Sequence, residues 1–289
     1  MISKRILRKS ALCALSLGVI YTLACTYLWA RQGHFIFEPR REIKKTPAIH
    51  QLPYEDIYVA VTDGNGNPEH IHGWWIPADP PEAKVLLYLH GSALNVGANV
   101  DAARRFNEIG YSIFLVSYRG YGLSDGEFPT EEQMYSDAYA AWNYLVHQKS
   151  ISPARIFIYG HSIGGAIAID LAVGHPEAAG LIVEASMTSI IDVARLQNTY
   201  RFFPLELIVD QKFDSLSKVG QLELPVLFIH GTQDTRVPPE MSSRLYENTL
   251  SPKRIKFIDG GGHNNCGTVG GEDYVRTIME FETLVSQFS

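Results

Sequence analysis

The run IFIYGHSIGGAIAI at positions 156–169 places one hydroxyl, that of Ser162, between glycines, where a β-rich apolar stretch gives way to small residues of helical character. A serine hydroxyl is a poor nucleophile near neutral pH. It needs an imidazole to take its proton, and the imidazole needs a carboxylate to fix its tautomer. The chain has ten histidines. Most precede Ser162, and His161, its neighbour on a tight turn, is expected to point elsewhere. His175 falls at the end of the following helix, and His230 ends a strand. His263 comes last, in the loop GGGHNN at 260–265, whose glycines let it descend to the serine. Asp234 is the one carboxylate in the loop HGTQDTRVPP at 230–239, where it could otherwise serve as a helix N-cap. Glu184 competes for the acid role and is read as structural. Ser162, His263 and Asp234 together could transfer an acyl group through a covalent intermediate. The negative oxygen of that intermediate needs fixed donors. The backbone N–H of Ile163 and that of Ser92, in the loop HGSALN at 90–95, are the candidates.

Such a cluster requires elements that bring distant residues to one edge. A hairpin is expected from IYVAVT at 57–62, a turn at 63–67 and IHGWWI at 71–76. Continuous apolar runs follow at 85–89, 112–116, 155–159, 181–183, 226–229 and 255–258, as strands buried on both faces should read. Helices are expected near 97–109 and 130–148, from 163, and near 272–287. This alternation predicts an α/β fold, a mostly parallel central sheet flanked by helices. Ligands of such sheets bind beyond the carboxyl ends of the strands. Ser162 sits at such an end, and Gly160-x-Ser162-x-Gly164 reads as a sharp strand-to-helix turn with the hydroxyl outward. The helix start adds partial positive charge there. Residues 190–224, too long for a simple crossover, read as a short helical cap. Tyr200, Arg201, Phe202 and Phe203 within it could line an acyl pocket, touch lipid or pack the cap.

Residues 11–30 carry no charge. Lys4, Arg5, Arg8 and Lys9 precede them and Arg31 follows. About twenty apolar residues span a hydrocarbon core of ~30 Å. An uncleaved signal anchor fits this length better than a cleaved signal peptide or a lipoprotein signal at Cys25. The expected organisation is an anchor at 1–30, a linker at 31–54 and the α/β domain at 55–289. The positive-inside rule leans towards a cytoplasmic N-terminus, with the domain on the outer or lumenal side. The net charge of −6 argues against nucleic acid as a partner. Cys13 and Cys25 lie in the apolar run and Cys266 reads as a loop thiol, so no disulfide framework or metal site is expected. No cofactor is called for.

GHSIGG, LHGSALN, SYRGYGLSDG at 117–126 and HGTQDTRVPPE together resemble the α/β-hydrolase superfamily over roughly residues 55–289. With the anchor and short cap, the chain is most similar to its membrane-anchored, Bem46-like members. The resemblance implies a serine hydrolase acting on an ester, thioester or amide, with a small ester, an acyl lipid or an acyl protein as substrate. It implies that the 117–126 loop shapes the pocket. A serine aminopeptidase is the alternative, with Glu206 or Asp210 holding the substrate ammonium. A non-catalytic, membrane-tethered binding protein on the same fold is a further one.

Overall fold

The protein is described by a computed structural model over residues 4–288, with side chains from Arg8 onward. Among these residues the main sheet has eight strands: β1 (Glu55–Thr62), β2 (Pro68–Ile76), β3 (Lys84–Leu89), β4 (Tyr111–Val116), β5 (Ile156–His161), β6 (Gly180–Glu184), β7 (Val226–Gly231) and β8 (Lys253–Ile258). Their order is β8-β7-β6-β5-β3-β4-β2-β1. All neighbours from β8 to β4 run parallel, and β2 is antiparallel to both β1 and β4. The helices are α1 (Lys4–Ile36), α2 (Val100–Glu108), α3 (Glu131–Asn143), α4 (Ile163–Gly174), α5 (Ile190–Arg195), α6 (Leu205–Ile208), α7 (Pro239–Asn248) and α8 (Cys266–Phe288).

Strand β3 shows why the apolar runs are continuous. Val85, Leu87 and Leu89 face one core with Met134 of α3 and Ile167 and Leu171 of α4. Leu86 and Tyr88 face another, with Phe106 of α2 and Ile278 and Phe281 of α8. Alternate side chains of a strand point to opposite faces, so a sheet covered on both sides needs apolar residues at every position. Helix α4 lies under the sheet and is buried on nearly all sides, which accounts for its lack of a polar face. Thr130 caps α3 reciprocally, its Oγ1 accepting the Gln133 N–H while the Gln133 side chain accepts the Thr130 N–H.

Several segments differ in detail from the expectation. The helix expected to 148 leaves α geometry at Asn143 and ends in a π turn over Tyr144–Gln148. The last helix begins at Cys266 and is interrupted at Gly271, whose φ is 48°. Helix α1 continues past residue 30 to Ile36, because its last turns dock on α6 and the residues that follow it. There Gln32 Oε1 accepts the N–H groups of Asp210 and Gln211, at 2.8 and 3.0 Å. The stretch expected as a linker is strapped to the domain. Phe37 is 1% exposed and packs edge-on against Phe128 and Phe213. Glu38–Pro39 pairs in parallel with Ala93–Leu94. Asn95 Nδ2 donates to the carbonyls of Arg40 and Glu42.

The loop after β4 is held by a buried ion pair. Arg119 Nε donates to Asp137 Oδ1 and its backbone N–H to Oδ2, both at 2.8 Å, and the two side chains are almost wholly buried. Removing Asp137 breaks this pair and leaves the buried guanidinium only Glu69, at 3.5 Å, and the Thr62 and Gln133 carbonyls. Asp137→Ala is therefore expected to lower stability by about 3–5 kcal/mol in urea unfolding. A loss below ~1 kcal/mol, the range of an exposed pair, would contradict a buried pair that holds the loop.

Candidate active site

Ser162 lies between β5 and α4 with φ 56° and ψ −123°, a backbone conformation L-residues rarely adopt. The turn closes because two flanking positions have no side chain. A Cβ on Gly160 would come within 2.1 Å of the Gly164 carbonyl oxygen, and one on Gly164 within 2.2 Å of that of Leu89. The Ser162 N–H donates to the Glu184 carbonyl, and the Ser186 hydroxyl to the Ser162 carbonyl. The strained residue is thus pinned from the neighbouring strand end.

The loops after β7 and β8 bring Asp234 and His263 to this turn. They are bonded to each other: the Gln233 N–H donates to the Gly261 carbonyl and the Thr232 N–H to that of Ile258. His263 Nε2 lies 3.0 Å from Ser162 Oγ, and His263 Nδ1 lies 2.7 Å from Asp234 Oδ2. Asp234 Oδ1 accepts the N–H groups of Arg236 and Val237, each at 2.9 Å. Burial would push the Asp234 carboxyl up. Bonds from His230, His263 and the Val237 N–H outweigh it and hold the group well below the usual carboxylate range. The carboxylate therefore stays ionised and fixes the Nδ1–H tautomer of His263, leaving Nε2 free to accept the serine proton.

Two histidines flank this row in ways the sequence reading missed. His161 does not point away; its Nε2–H donates to the His263 carbonyl at 2.8 Å, and the two rings lie 5.1 Å apart. Burial holds its imidazole below the ordinary value, so it packs there uncharged. His230 Nε2 is 2.8 Å from the Val237 carbonyl and 3.1 Å from Asp234 Oδ2. Both are acceptors, so the proton sits on Nε2, and Nδ1 accepts from the Ser242 hydroxyl at 2.6 Å. The spacing His-x3-Asp after a strand was the available signal, since the turn folds the aspartate back over the strand's last side chain. Glu184 takes the hydroxyls of Tyr159 and Tyr274 instead of an imidazole. Cys266 opens α8, buried, with Sγ against the Gly262 carbonyl, and is no open-loop thiol.

Ser92 and Ile163 line the same 520 Å3 cavity as Ser162 and His263. Ile163 is the first residue of α4, where a helix leaves its N–H groups without internal partners. The loop after β4 braces the backbone around Ser92. Tyr118 donates to the His90 carbonyl and Tyr121 to that of Ser92, at 3.1 and 2.7 Å. Burial keeps the His90 imidazole down at about 4, so it is neutral, with Nδ1–H donating to the Gly91 carbonyl. No group of side chains among the described residues is arranged to hold a metal ion.

Eight strands in this order, with a strained serine at the end of β5, define an α/β-hydrolase. The family model "Serine aminopeptidase, S33" matches residues 79–213. Protein bem46 of Schizosaccharomyces pombe is 30% identical over 285 residues, covering 96% of this chain and 93% of its own. An uncharacterised protein of Mycobacterium tuberculosis strain H37Rv is 30% identical over 258 residues, 89% of each chain. Among solved structures, the Pyrococcus furiosus esterase Pf2001 superposes with a TM-score of 0.70 at 21% identity, over 85% of this chain and 97% of that one. The chain belongs to the α/β-hydrolase superfamily, among its Bem46-like members.

Because the Asp234 carboxyl is held low, its network stabilises the fold fully above the unfolded value of 3.8 and loses that contribution as pH falls through the folded value. The gap in thermal midpoint between wild type and Asp234→Asn should stay constant from pH ~7 to ~5 and close at strongly acid pH. A gap that widens on acidification would contradict this.

Proposed function

We propose that the protein is a membrane-anchored serine hydrolase that cleaves carboxylic esters or thioesters. The observation that carries this is the row Ser162 Oγ, His263 and Asp234, at 3.0 and 2.7 Å. Ser162 Oγ attacks the carbonyl carbon while His263 Nε2 takes its proton. Asp234 stabilises the resulting imidazolium. The N–H groups of Ser92 and Ile163 hold the tetrahedral oxygen. His263 then protonates the departing oxygen or sulfur, leaving an acyl group on Ser162. Water, activated by the same imidazole, hydrolyses it.

The cavity beside Ser162 suits an acyl chain. Its walls include Met187, Ile190 and Val193 near the cap and Leu28, Phe35 and Ile36 of α1. The helix long and apolar enough to cross a membrane, Arg8–Ile36, thus also walls the site. The cap rests on it: the Tyr21 hydroxyl donates to the Phe202 carbonyl at 2.8 Å, and Trp29 Nε1 to Asp210 Oδ2 at 2.7 Å. Phe202 and Leu207 of the cap, 73% and 82% exposed, add apolar surface next to the helix. This supports an anchored enzyme whose acyl substrate is borne by the membrane. The structural neighbour from Pyrococcus furiosus is an esterase, which agrees with the reaction class. Aminopeptidase action is disfavoured because the cap acids are engaged, Glu206 by Arg195 and Asp210 by Trp29 and Gln32. The anchor is read as uncleaved, with the N-terminus cytoplasmic and the domain outside. Protease added to intact cells should then digest the domain, and protection would reverse the orientation.

A fluorophosphonate probe should label wild type and not Ser162→Ala, and ester hydrolysis in that variant should fall at least ~1,000-fold. Equal labelling of the variant would overturn the assignment, and a wild type that is neither labelled nor active would favour a binding protein on the same fold. Across p-nitrophenyl esters, kcat/KM should rise up to about fourfold per added methylene until the cavity is filled. Aminoacyl anilides should be poor substrates; a preference for them would favour the peptidase.

A further inference from the structure

Helix α1 and the cap are tied at two heights along the helix. Nearer its C-terminal end, the Trp29 indole N–H donates to Asp210 Oδ2. Two turns earlier, the Tyr21 hydroxyl donates to the Phe202 carbonyl, and the Phe203 ring stacks on the Tyr21 ring with centroids 5.8 Å apart. Eight residues separate Tyr21 from Trp29, about 12 Å along the axis at ~1.5 Å per residue.

The uncharged run of α1 is residues 11–30, so Trp29 stands at its domain end and Tyr21 near its middle. A tryptophan at such an end, bonded to a carboxylate, marks the height of the membrane surface. Tyr21 then lies within the hydrocarbon, and the cap residues bonded to it lie at the same depth. Were the cap in water, Tyr21 and the helix beyond it would be in water too. Only residues 11–20 would remain, about 15 Å of helix against a core of ~30 Å.

The cap edge, residues 200–208, is built for that depth. Phe202 and Leu207 are exposed there, beside the exposed apolar face of α1. The N–H groups of Phe203, Leu205, Leu207 and Val209 bond to carbonyls of the same segment, and the Phe202 carbonyl takes the Tyr21 hydroxyl, as a lipid surrounding demands. Of the two charged residues, Glu206 pairs with Arg195. The Arg201 guanidinium lies 5.0 Å from the centroid of the Phe202 ring, on a stem long enough to reach back to headgroups.

We propose that the cap edge is immersed in the leaflet beside α1, and that acyl chains pass from that leaflet into the site between the two. The proposal rests on the reading of α1 as an anchor and of the site as a hydrolase, and adds a second membrane contact to the first. The 520 Å3 cavity lies between the two elements, with Leu28 and Phe35 of α1 on one side and Leu205 and Ile208 of α6 on the other. A chain entering there reaches Ser162 without crossing water. Lipid already surrounds α1 at this height, so Phe202 and Leu207 need no protein partner to cover them.

Nitroxide labels on single cysteines test this in the full-length protein, in phosphatidylcholine vesicles. Cys13→Ser and Cys25→Ser remove the competing thiols, and Cys266 is buried. Labels are placed through Phe202→Cys and Leu207→Cys, with Leu17→Cys on α1 and Leu250→Cys, exposed in the loop before β8, as references. Labels at 202 and 207 should collide with oxygen in preference to a water-soluble nickel chelate, as at 17, and the label at 250 should do the reverse. Water-like labels at 202 and 207 with a lipid-like label at 17 would overturn immersion of the cap alone. Labels at 202 and 207 shielded from both reagents would mean that a second copy covers the edge, and would overturn it too. A water-like label at 17 would overturn the anchor and this contact with it. In the same vesicles, Leu207→Glu should lower kcat/KM about tenfold on membrane-dissolved p-nitrophenyl palmitate and leave soluble p-nitrophenyl acetate within about twofold. Equal losses on both would overturn entry from the leaflet. Wild type inactive on both would overturn the hydrolase reading and the acyl route, while the labels still decide where the cap lies.

Discussion

The imidazole of His263 bridges two groups that the chain delivers from separate loops, and its orientation is what the rest of the structure has to secure. A neutral imidazole can place its one proton on either nitrogen. Asp234, kept ionised by its bonds, fixes that proton on Nδ1 and so leaves a lone pair on Nε2 towards Ser162 Oγ. Everything around Asp234 serves to keep it ionised and still. The N–H groups of Arg236 and Val237 hold one oxygen, and His230 with His263 holds the other. His161 then ties the far side of the His263 backbone to the serine turn.

Precision at this point is built from rigid sheet ends. Ser162, Asp234 and His263 all follow strand termini on the carboxyl edge, beyond β5, β7 and β8. The loops after β7 and β8 are bonded to each other, while the loop after β4 braces the backbone at His90 and Ser92. The same loop carries Arg119, held by its buried pair with Asp137. On the proposed mechanism, the tyrosines of the same loop matter because they hold the backbone whose N–H must meet a developing negative charge.

How much of this could be read from the sequence varied by kind of signal. The sheet was legible because strands buried on both faces are written as unbroken apolar runs such as VLLYL. The serine turn was legible because close backbone approaches at Gly160 and Gly164 leave glycine as the only residue that fits. Asp234 and His263 could be proposed from their order along the chain and from the loops that carry them. The direction of the His161 ring was not legible, since its partner is the His263 carbonyl, which a loop 102 positions further along the chain delivers. Nor was the strap at residues 37–54, where one buried phenylalanine and a two-residue strand pairing sit within a charged, proline-rich stretch. The contact of α1 with the cap also escaped, because it joins residues about 180 positions apart through single polar side chains.

Helix α1 and the cap give the site an unusual wall, in which the segment apolar enough to span a bilayer also borders the cavity at Ser162. An acyl chain lying along such a helix would need little exposure to water on its way to the serine. That advantage matters only if the row beneath it passes protons. The most direct test is a proton spectrum of the detergent-solubilised protein with 15N-labelled histidine. The imidazole Nδ1–H resonance of His263 should appear far downfield of the amide region, shifted by its bond to Asp234, and should be lost in Asp234→Ala. Its absence in wild type, or its persistence in that variant, would contradict the claim that Asp234 sets the tautomer of His263.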